Sequence, residues 1–149
     1  MKATILSIGD ELLIGQTLNT NAHWMSQQLT AIGVDVLRHV SVSDKRAEIV
    51  GALDTAMADT QVILITGGLG PTSDDITKDV LCEYFGGSLV FNEAAYENIR
   101  QIFNRRNREI SEATRQVAFL PDNCLPIQNA FGTAAGMLFR HDDRVVVSM

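Results

Sequence analysis

Residues 61–75 read QVILITGGLGPTSDD, an apolar run followed directly by a glycine-rich segment that ends in two acidic residues. The run Val62–Ile65 is short, continuous and rich in β-branched residues, which is typical of a strand buried on both faces of a parallel sheet. Gly67, Gly68 and Gly70 follow it. Without side chains at these positions, the backbone can turn sharply and another molecule can approach closely. The stretch therefore predicts a buried strand that ends in a binding loop.

The residues after the glycines favour the start of a helix. Pro71 stiffens the turn, and Thr72 or Ser73 is predicted to cap a helix that begins near Asp74. Phosphate groups favour such a strand–loop–helix start, because free N–H groups and the positive end of the helix dipole point at it. Asp74 and Asp75 would repel a bare phosphate, but they can hold a divalent cation that bridges to one. We therefore predict a metal-assisted phosphate or pyrophosphate site.

A second loop of the same kind follows the first predicted strand, Ala3–Ile8, and carries Gly9, Asp10 and Glu11. The second predicted strand, Val34–Val42, ends without glycine. Ligands bind in α/β sheets at the carboxyl edge, where the strand order reverses. An order beginning 2-1-3 makes strands one and three neighbours, so that their loops face each other, whereas an order of 3-2-1 separates them. We prefer 2-1-3.

Strand and helix patterns alternate along the chain, which predicts an α/β sandwich with a mostly parallel sheet. The segments Met137–Phe139 and Arg144–Val147 look like a C-terminal hairpin that turns at residues 141–143. A chain of 149 residues is long enough for one domain with a sizeable core, so residues 1–149 are expected to form a single domain.

Charge and cysteine usage exclude several classes of protein. The formal net charge of -6 argues against a nucleic-acid surface, and we interpret Arg105, Arg106 and Arg108 as a solvated helix face. Cys82 and Cys124 form no CxxC motif and fit a reducing cytoplasm. No signal peptide or transmembrane run is visible. We expect a cytoplasmic protein with neither nucleic acid nor membrane as a partner.

Four carboxylates form the first candidate constellation: Asp10, Glu11, Asp74 and Asp75. Magnesium and manganese prefer oxygen ligands, usually one or two carboxylates with water and substrate phosphate. A cation there would neutralise phosphoryl oxygens and lower the pKa of a bound water. The alternative is that these acids merely favour helix dipoles, by about 0.3–1 kcal/mol each. For the four together, on facing loops, we favour the site.

Two loops carry weaker signals. GGLG matches neither the P-loop pattern GxxxxGKS/T nor the GxGxxG fingerprint, and it becomes specific only when joined to PTSDD. Gly132, Thr133 and Ala134 could supply backbone donors and one hydroxyl to a ligand. A simple tight link before the hairpin explains these three residues about as well.

Several motifs together resemble one family closely. GDELL at residues 9–13, TNA at residues 20–22 and TGGLGPTSDDIT at residues 66–77 are similar to the N-terminal domain of the CinA-type competence/damage-inducible proteins. ATRQVAFLP at residues 113–121 and FGTAAG at residues 131–136 also match its pattern. That domain belongs to the molybdopterin-binding superfamily, with the MoaB, MogA and MoeA proteins and gephyrin.

The resemblance implies a three-layer α/β/α fold and hydrolysis of ADP-ribose to AMP and ribose 5-phosphate with Mg, Mn or Co as cofactor. It also implies a homo-oligomer, either a dimer or a trimer. The implied catalytic residues are Asp10, Asp74 and Asp75, and Glu11 joins these three as a metal ligand. The implied substrate-binding residues are Gly9, Glu11, Asn21, Gly67, Gly68, Gly70, Pro71, Thr72, Gly132, Thr133 and Ala134.

Two alternatives stay open beside ADP-ribose hydrolysis. The first is pterin binding or adenylyl transfer in molybdenum-cofactor synthesis, although the GGLG loop differs from the GGTG-type loop of those proteins. The second is a non-catalytic nucleotide-binding module.

The family usually continues into a PGVP-type loop and often into a domain that deamidates nicotinamide mononucleotide. This sequence stops at Met149 after a strand, so we expect a truncated domain and assign no amidase activity.

Overall fold

The apolar run before the glycine segment forms an inner strand of the main sheet. In the computed structural model, which describes residues 1–149, Val62–Thr66 lies between the strands Lys2–Ile8 and Arg144–Ser148 and is parallel to both. Ile63 and Ile65 are fully buried, whereas the alternate residues of this strand are partly exposed. One face of the strand is therefore covered more completely than the other.

The strands are β1 (Lys2–Ile8), β2 (Asp35–Val42), β3 (Val62–Thr66), β4 (Leu89–Phe91), β5 (Phe119–Pro121), β6 (Leu125–Ile127), β7 (Gly136–His141) and β8 (Arg144–Ser148). The helices are α1 (Asp10–Leu13), α2 (Thr20–Ala31), α3 (Arg46–Asp59), α4 (Thr77–Tyr84), α5 (Glu93–Arg105) and α6 (Glu112–Gln116). None of these helices combines the length and the apolar character that a membrane span requires.

The main sheet has six strands in the order β2-β1-β3-β8-β7-β6. Strands β2, β1, β3 and β8 are parallel, and β7 and β6 continue the sheet in antiparallel pairing. The predicted order beginning 2-1-3 is confirmed, and so is the C-terminal hairpin, in which His141 pairs with Arg144. Strands β4 and β5 form a separate two-stranded antiparallel sheet. Strand β5 was not predicted from the sequence.

Helices cover both faces of the main sheet, which gives the three-layer architecture. On one face, Ala22 and Met25 of α2 pack in a small buried cluster against β1. On the other, Leu53 of α3, Leu81 of α4 and Ile99 of α5 belong to the larger core cluster. Strand β1 is thus buried between two layers of helix, as its apolar run requires, whereas the edge strand β2 is largely exposed.

Two asparagines tie the start of α2 to the carboxyl ends of β1 and β3. Asn19 accepts a hydrogen bond from the amide of Ala22 at 3.1 Å and thereby caps the helix. Its Nδ2 also donates to the buried Ser7 hydroxyl of β1 at 2.8 Å. Asn21 Nδ2 donates to Thr66 Oγ1 of β3 at 3.2 Å. These bonds fix α2 over the edge at which the loops leave the sheet.

The predicted cap of α4 is wrong. The helix begins at Thr77 instead of near Asp74, and no side chain caps it. The physical reason is a competing local turn, because the Asp75 carboxylate accepts hydrogen bonds from the amide and the hydroxyl of Thr72. Residues 72–75 therefore form a turn outside the helix.

We predict that Asn19→Ala lowers the free energy of unfolding by about 2 kcal/mol, because it removes the cap of α2 and also the only donor to the buried Ser7 hydroxyl. The matched control is Asn92→Ala, which removes the cap of α5 and no other side-chain bond. Its expected cost is about 1 kcal/mol. Urea unfolding of both variants measures the difference. Equal losses would show that the bond from Asn19 to Ser7 contributes nothing.

Candidate functional site

The loops that follow β1 and β3 meet at the carboxyl edge of the sheet. Ser7 and Thr66 are paired at the last register position that the two strands share. A Cβ atom at Gly67 would lie 2.0 Å from the carbonyl oxygen of Ile8, and the φ angle of Gly67 is +103°. Only glycine fits this conformation and this approach. The two predicted loops therefore face each other across one crevice.

The glycine loop leaves backbone donors free. The amides of Gly67, Gly68 and Leu69 donate no hydrogen bond to another group in the chain, although the carbonyl oxygen of Gly68 accepts one from Thr77 at 3.1 Å. The loop leads into the uncapped N-terminus of α4. Free backbone amides beside a helix start favour an anion, because the N–H groups and the positive end of the helix dipole carry partial positive charge.

A buried hydroxyl lies directly behind this loop. Thr77 is fully buried, and its Oγ1 has no hydrogen-bond partner in the protein. A Cβ atom at Gly68 would lie only 2.1 Å from that oxygen. Thr77 was not among the predicted site residues, because the helix cap was expected earlier, at Thr72 or Ser73. The signal was present in the threonine of DDIT, one turn before an apolar helix face.

The crevice beside Gly67 is a cleft with a volume of about 130 Å³. Glu11, Asn21 and Gly67, all predicted ligand contacts, line it. The complete lining is Ile8, Glu11, Leu12, Thr17, Leu18, Asn19, Thr20, Asn21, Thr66 and Gly67. Most of its polar side chains are neutral amides and hydroxyls, which suit a ligand that carries several oxygen atoms.

The outer part of the glycine loop lies away from this cleft. Gly70, Pro71 and Thr72 are exposed and do not line it. Gly9 also lies outside the lining, and its amide donates to the carbonyl of Val42 at 3.0 Å, which joins the loop to β2. These four predicted contacts, and Gly68 as well, therefore do not line the cleft.

Asp44, which was not among the predicted site residues, lies beside the predicted acidic residues. It lies just before α3, accepts a hydrogen bond from the amide of Asp10 at 3.0 Å and does not cap that helix. Burial raises the pKa of Asp44, the bond from Asp10 lowers it, and the negative charges of Asp10, Glu11 and Asp74 raise it further, so that it lies above its ordinary value. The negative charges of Asp10, Glu11 and Asp74 thus act on Asp44 at the carboxyl edge of the sheet.

Asp75 differs from the other acids in its contacts. Its carboxylate accepts the amide of Thr72 at 2.9 Å and the Thr72 hydroxyl as well. Burial acts to raise the pKa of Asp75, but the bonds from Thr72 and the amide of Gly70 outweigh burial and hold the pKa below its ordinary value. These contacts give Asp75 a role in shaping the loop.

The predicted ring of four metal ligands is not assembled. No three carboxylate, histidine or cysteine side chains converge closely enough to hold a metal ion, so Asp10, Glu11, Asp74 and Asp75 do not form one closed site. Asp75 is engaged with Thr72, Asp10 and Glu11 lie together in α1, and Asp74 lies on the segment before α4. A cation here would have at most two protein carboxylates, and its remaining ligands would be water and ligand phosphate.

The third predicted loop lies elsewhere. Asn129 organises it, since its Oδ1 accepts the amides of Phe131 and Gly132, both at 3.0 Å, and its Nδ2 donates to the carbonyl of Ala134 at 3.1 Å. Gly132, Thr133 and Ala134 do not line the cleft beside Gly67, and Ala134 lines a different one. The reason is topological, because β7 follows this loop and is separated from β3 by β8.

The fold and the site together define a class of protein. The strand order reverses between β1 and β3, and the free amides of the glycine loop lie at that reversal. Doubly wound α/β domains bind their ligands in this crevice. A family profile described as "Probable molybdopterin binding domain" matches residues 4–149, and the chain belongs to this family.

The relatives of the chain are CinA-like proteins. A CinA-like protein of Cytophaga hutchinsonii is 42% identical over 147 residues, which are 99% of this chain and 35% of that protein. One of Salinibacter ruber is 42% identical over 148 residues, 99% of this chain and 36% of that protein. The chain therefore spans about a third of the length of the curated relatives it matches.

Solved structures agree with this assignment. The crystal structure of the protein CinA from Thermoplasma acidophilum, described as having unknown function, is 31% identical with a TM-score of 0.86, and covers 99% of this chain and 86% of that one. The tungsten cofactor synthesizing protein MoaB from Pyrococcus furiosus is 18% identical with a TM-score of 0.59, and covers 99% and 78% of the two chains. This second likeness shows the fold alone.

We predict that Asp75→Asn lowers the free energy of unfolding by about 0.5–1 kcal/mol at pH 7, because the bonds from Thr72 then reach a neutral group. The folded-state pKa of Asp75 is depressed, so its contribution is present above the ordinary value of 3.8 and is lost as pH falls through the lower folded value. Thermal unfolding from pH 7 down to pH 2.5 measures this. A difference between variant and wild type that grows toward low pH would contradict the assignment.

Proposed function

We propose that this domain binds a phosphorylated small molecule in the crevice between the β1 and β3 loops, and that the ligand is a pterin phosphate of the molybdopterin type. The observation that carries the proposal is the row of free amides at Gly67, Gly68 and Leu69, of which Gly67 lines the cleft and lies so close to Ile8 that only glycine fits there. The family description, which names molybdopterin, supports the pterin as the organic part.

The neighbouring side chains suit such a ligand. Thr17, Thr20 and Asn21 present hydroxyl and amide groups to the cleft, and these can donate to or accept from a pterin or a sugar. Thr77 Oγ1, buried without a partner behind Gly68, is a further donor available to an oxyanion or to a loop that has shifted around one. An unsatisfied buried hydroxyl costs free energy, so a bond formed on ligand binding would recover it.

The acids set the charge balance of the site. The Asp44 carboxylate accepts the amide of Asp10 at 3.0 Å, and its pKa is raised by burial and by the charges of Asp10, Glu11 and Asp74. Their negative charge opposes a phosphate, and a divalent cation between one or two of them and the phosphate would offset this repulsion. We therefore propose that phosphate binding is tighter with Mg, Mn or Co than without.

Hydrolysis of ADP-ribose is the second candidate function. The family description favours pterin binding over the hydrolysis that the resemblance first implied. One observation favours hydrolysis, namely the acidic group beside the glycine loop, because binding a phosphate monoester does not need so many carboxylates.

In the hydrolysis of ADP-ribose a water attacks phosphorus in the diphosphate, and the P–O bond between the two phosphates breaks. The products are AMP and ribose 5-phosphate. A bound cation would supply charge neutralisation and a more acidic water.

We predict that Gly68→Ala weakens the binding of ribose 5-phosphate and of a pterin phosphate at least 10-fold, because the new methyl group would displace Thr77 or the loop. The matched control is Gly86→Ala. Gly86 has the same φ angle of +68° but open space around its Cβ position, so the control carries only the backbone strain. Isothermal titration calorimetry measures both variants. Equal affinities for Gly68→Ala and wild type would place the phosphate elsewhere.

ADP-ribose hydrolysis is tested separately, by incubating the wild-type protein with ADP-ribose and Mg, Mn or Co in turn. We predict release of AMP that Asp74→Asn reduces at least 10-fold, whereas Asp79→Asn, on the neighbouring helix α4, leaves it unchanged. Chromatography of the products measures both. If no AMP forms with any of the three metals, hydrolysis is excluded and phosphate binding is still decided by calorimetry.

A further inference from the structure

The single tryptophan of the chain lies at the edge of the proposed site. Trp24 is in the second turn of α2, and 61% of its surface is exposed. Its neighbour Met25 is buried against the sheet. Tryptophan has the largest apolar surface of any side chain, so burial of the indole face by a ligand would be favourable.

Trp24 forms one wall of a second cleft, the Trp24 cleft, with a volume of about 260 Å³. Its lining is Asn21, Trp24, Met25, Thr66 and Met149. No charged side chain is among these residues. The cleft therefore suits a neutral, flat and partly apolar group.

The Trp24 cleft adjoins the cleft beside Gly67. Asn21 and Thr66 line both, and the hydrogen bond between Asn21 Nδ2 and Thr66 Oγ1 at 3.2 Å forms the boundary. A ligand with its phosphate at Gly67 can thus extend past this boundary to Trp24. Asn21 and Thr66 also offer polar atoms to the edge of a ring that enters the Trp24 cleft.

We propose that the Trp24 cleft binds the fused nitrogen heteroaromatic ring of the ligand, stacked on Trp24 with the thioether of Met25 beside it. The proposal rests on the proposed phosphate site and adds the part of the ligand that the phosphate does not specify. Aromatic rings prefer offset or edge-on contact with indole, and thioether sulfur also contacts rings favourably. A purine and a pterin share this chemistry, and polar ring atoms would meet Asn21 and Thr66.

Fluorescence gives a direct test, because Trp24 is the only tryptophan. The wild-type protein is titrated with AMP, which carries a purine, and with ribose 5-phosphate, which carries the same kind of phosphate without an aromatic ring. We predict that AMP quenches the tryptophan emission and that ribose 5-phosphate leaves it unchanged. Quenching by AMP and ribose 5-phosphate to the same extent, or by neither AMP nor a pterin phosphate, would overturn the stacking.

Calorimetry of variants separates the ring from the phosphate. Trp24→Leu is expected to bind AMP or a pterin phosphate roughly 5- to 100-fold more weakly than wild type, since stacking on an aromatic side chain contributes on that scale. Its affinity for ribose 5-phosphate should stay unchanged. Trp24→Phe keeps a stacking face and should recover most of the loss. The matched control is Ile32→Ala, which removes an exposed apolar side chain at the other end of α2.

The outcomes distinguish the two proposals. A loss for AMP alone supports a purine, a loss for the pterin phosphate alone supports a pterin, and either supports the ring site. Unchanged affinity of Trp24→Leu for both ring ligands overturns the ring site, while binding of ribose 5-phosphate that Gly68→Ala weakens keeps the phosphate site. If wild type binds none of the three probes, with or without Mg, both proposals are wrong.

Discussion

Gly67 lies so close to the loop after β1 that a methyl group at its Cα would be 2.0 Å from the carbonyl oxygen of Ile8. This contact depends on the parallel pairing of β1 and β3, whose last shared pair is Ser7 and Thr66. It brings two loops into one crevice, and α2 is held over that crevice by Asn19 and Asn21. A side chain at position 67 would separate the loops and change every distance in the site.

The second determinant of the site is the balance between backbone donors and carboxylates. The free amides of the glycine loop favour an anion, whereas the acids at the ends of β1, β2 and β3 oppose it. Asp44 accepts the amide of Asp10 at 3.0 Å, and its pKa is raised by burial and by the charges of Asp10, Glu11 and Asp74. Such an arrangement suits a ligand that arrives with its own cation better than a bare phosphate.

Much of the fold followed from local sequence patterns. The apolar run before Gly67, the acid and glycine after β1, and the contrast with β2 were enough to predict the order 2-1-3. The hairpin of β7 and β8 was equally visible. Strand β5 was missed because it has only three residues and is stabilised by pairing with β4, which is distant in the sequence. A segment this short has no periodicity that predicts a strand.

The site was predicted in outline and less well in its contacts. Glu11, Asn21 and Gly67 line the cleft as expected, but Asp75 bonds to Thr72. Asp44 was not among the predicted site residues, yet its carboxylate accepts the amide of Asp10. Thr133 lies on a loop that β8 separates from β3. These outcomes depend on which neighbours compete for one side chain, which periodicity does not encode.

The most direct test of the contact between the two loops compares Gly67→Ala with Gly33→Ala. Both glycines have positive φ angles, +103° and +78°, but a Cβ atom at Gly33 meets nothing within 4 Å. We predict a cost of about 1 kcal/mol for Gly33→Ala with unchanged affinity for ribose 5-phosphate. For Gly67→Ala we predict a further cost of about 1–3 kcal/mol and loss of detectable binding. Equal stability and equal affinity of the two variants would show that the loops need not touch, and that the crevice between them is not the ligand site.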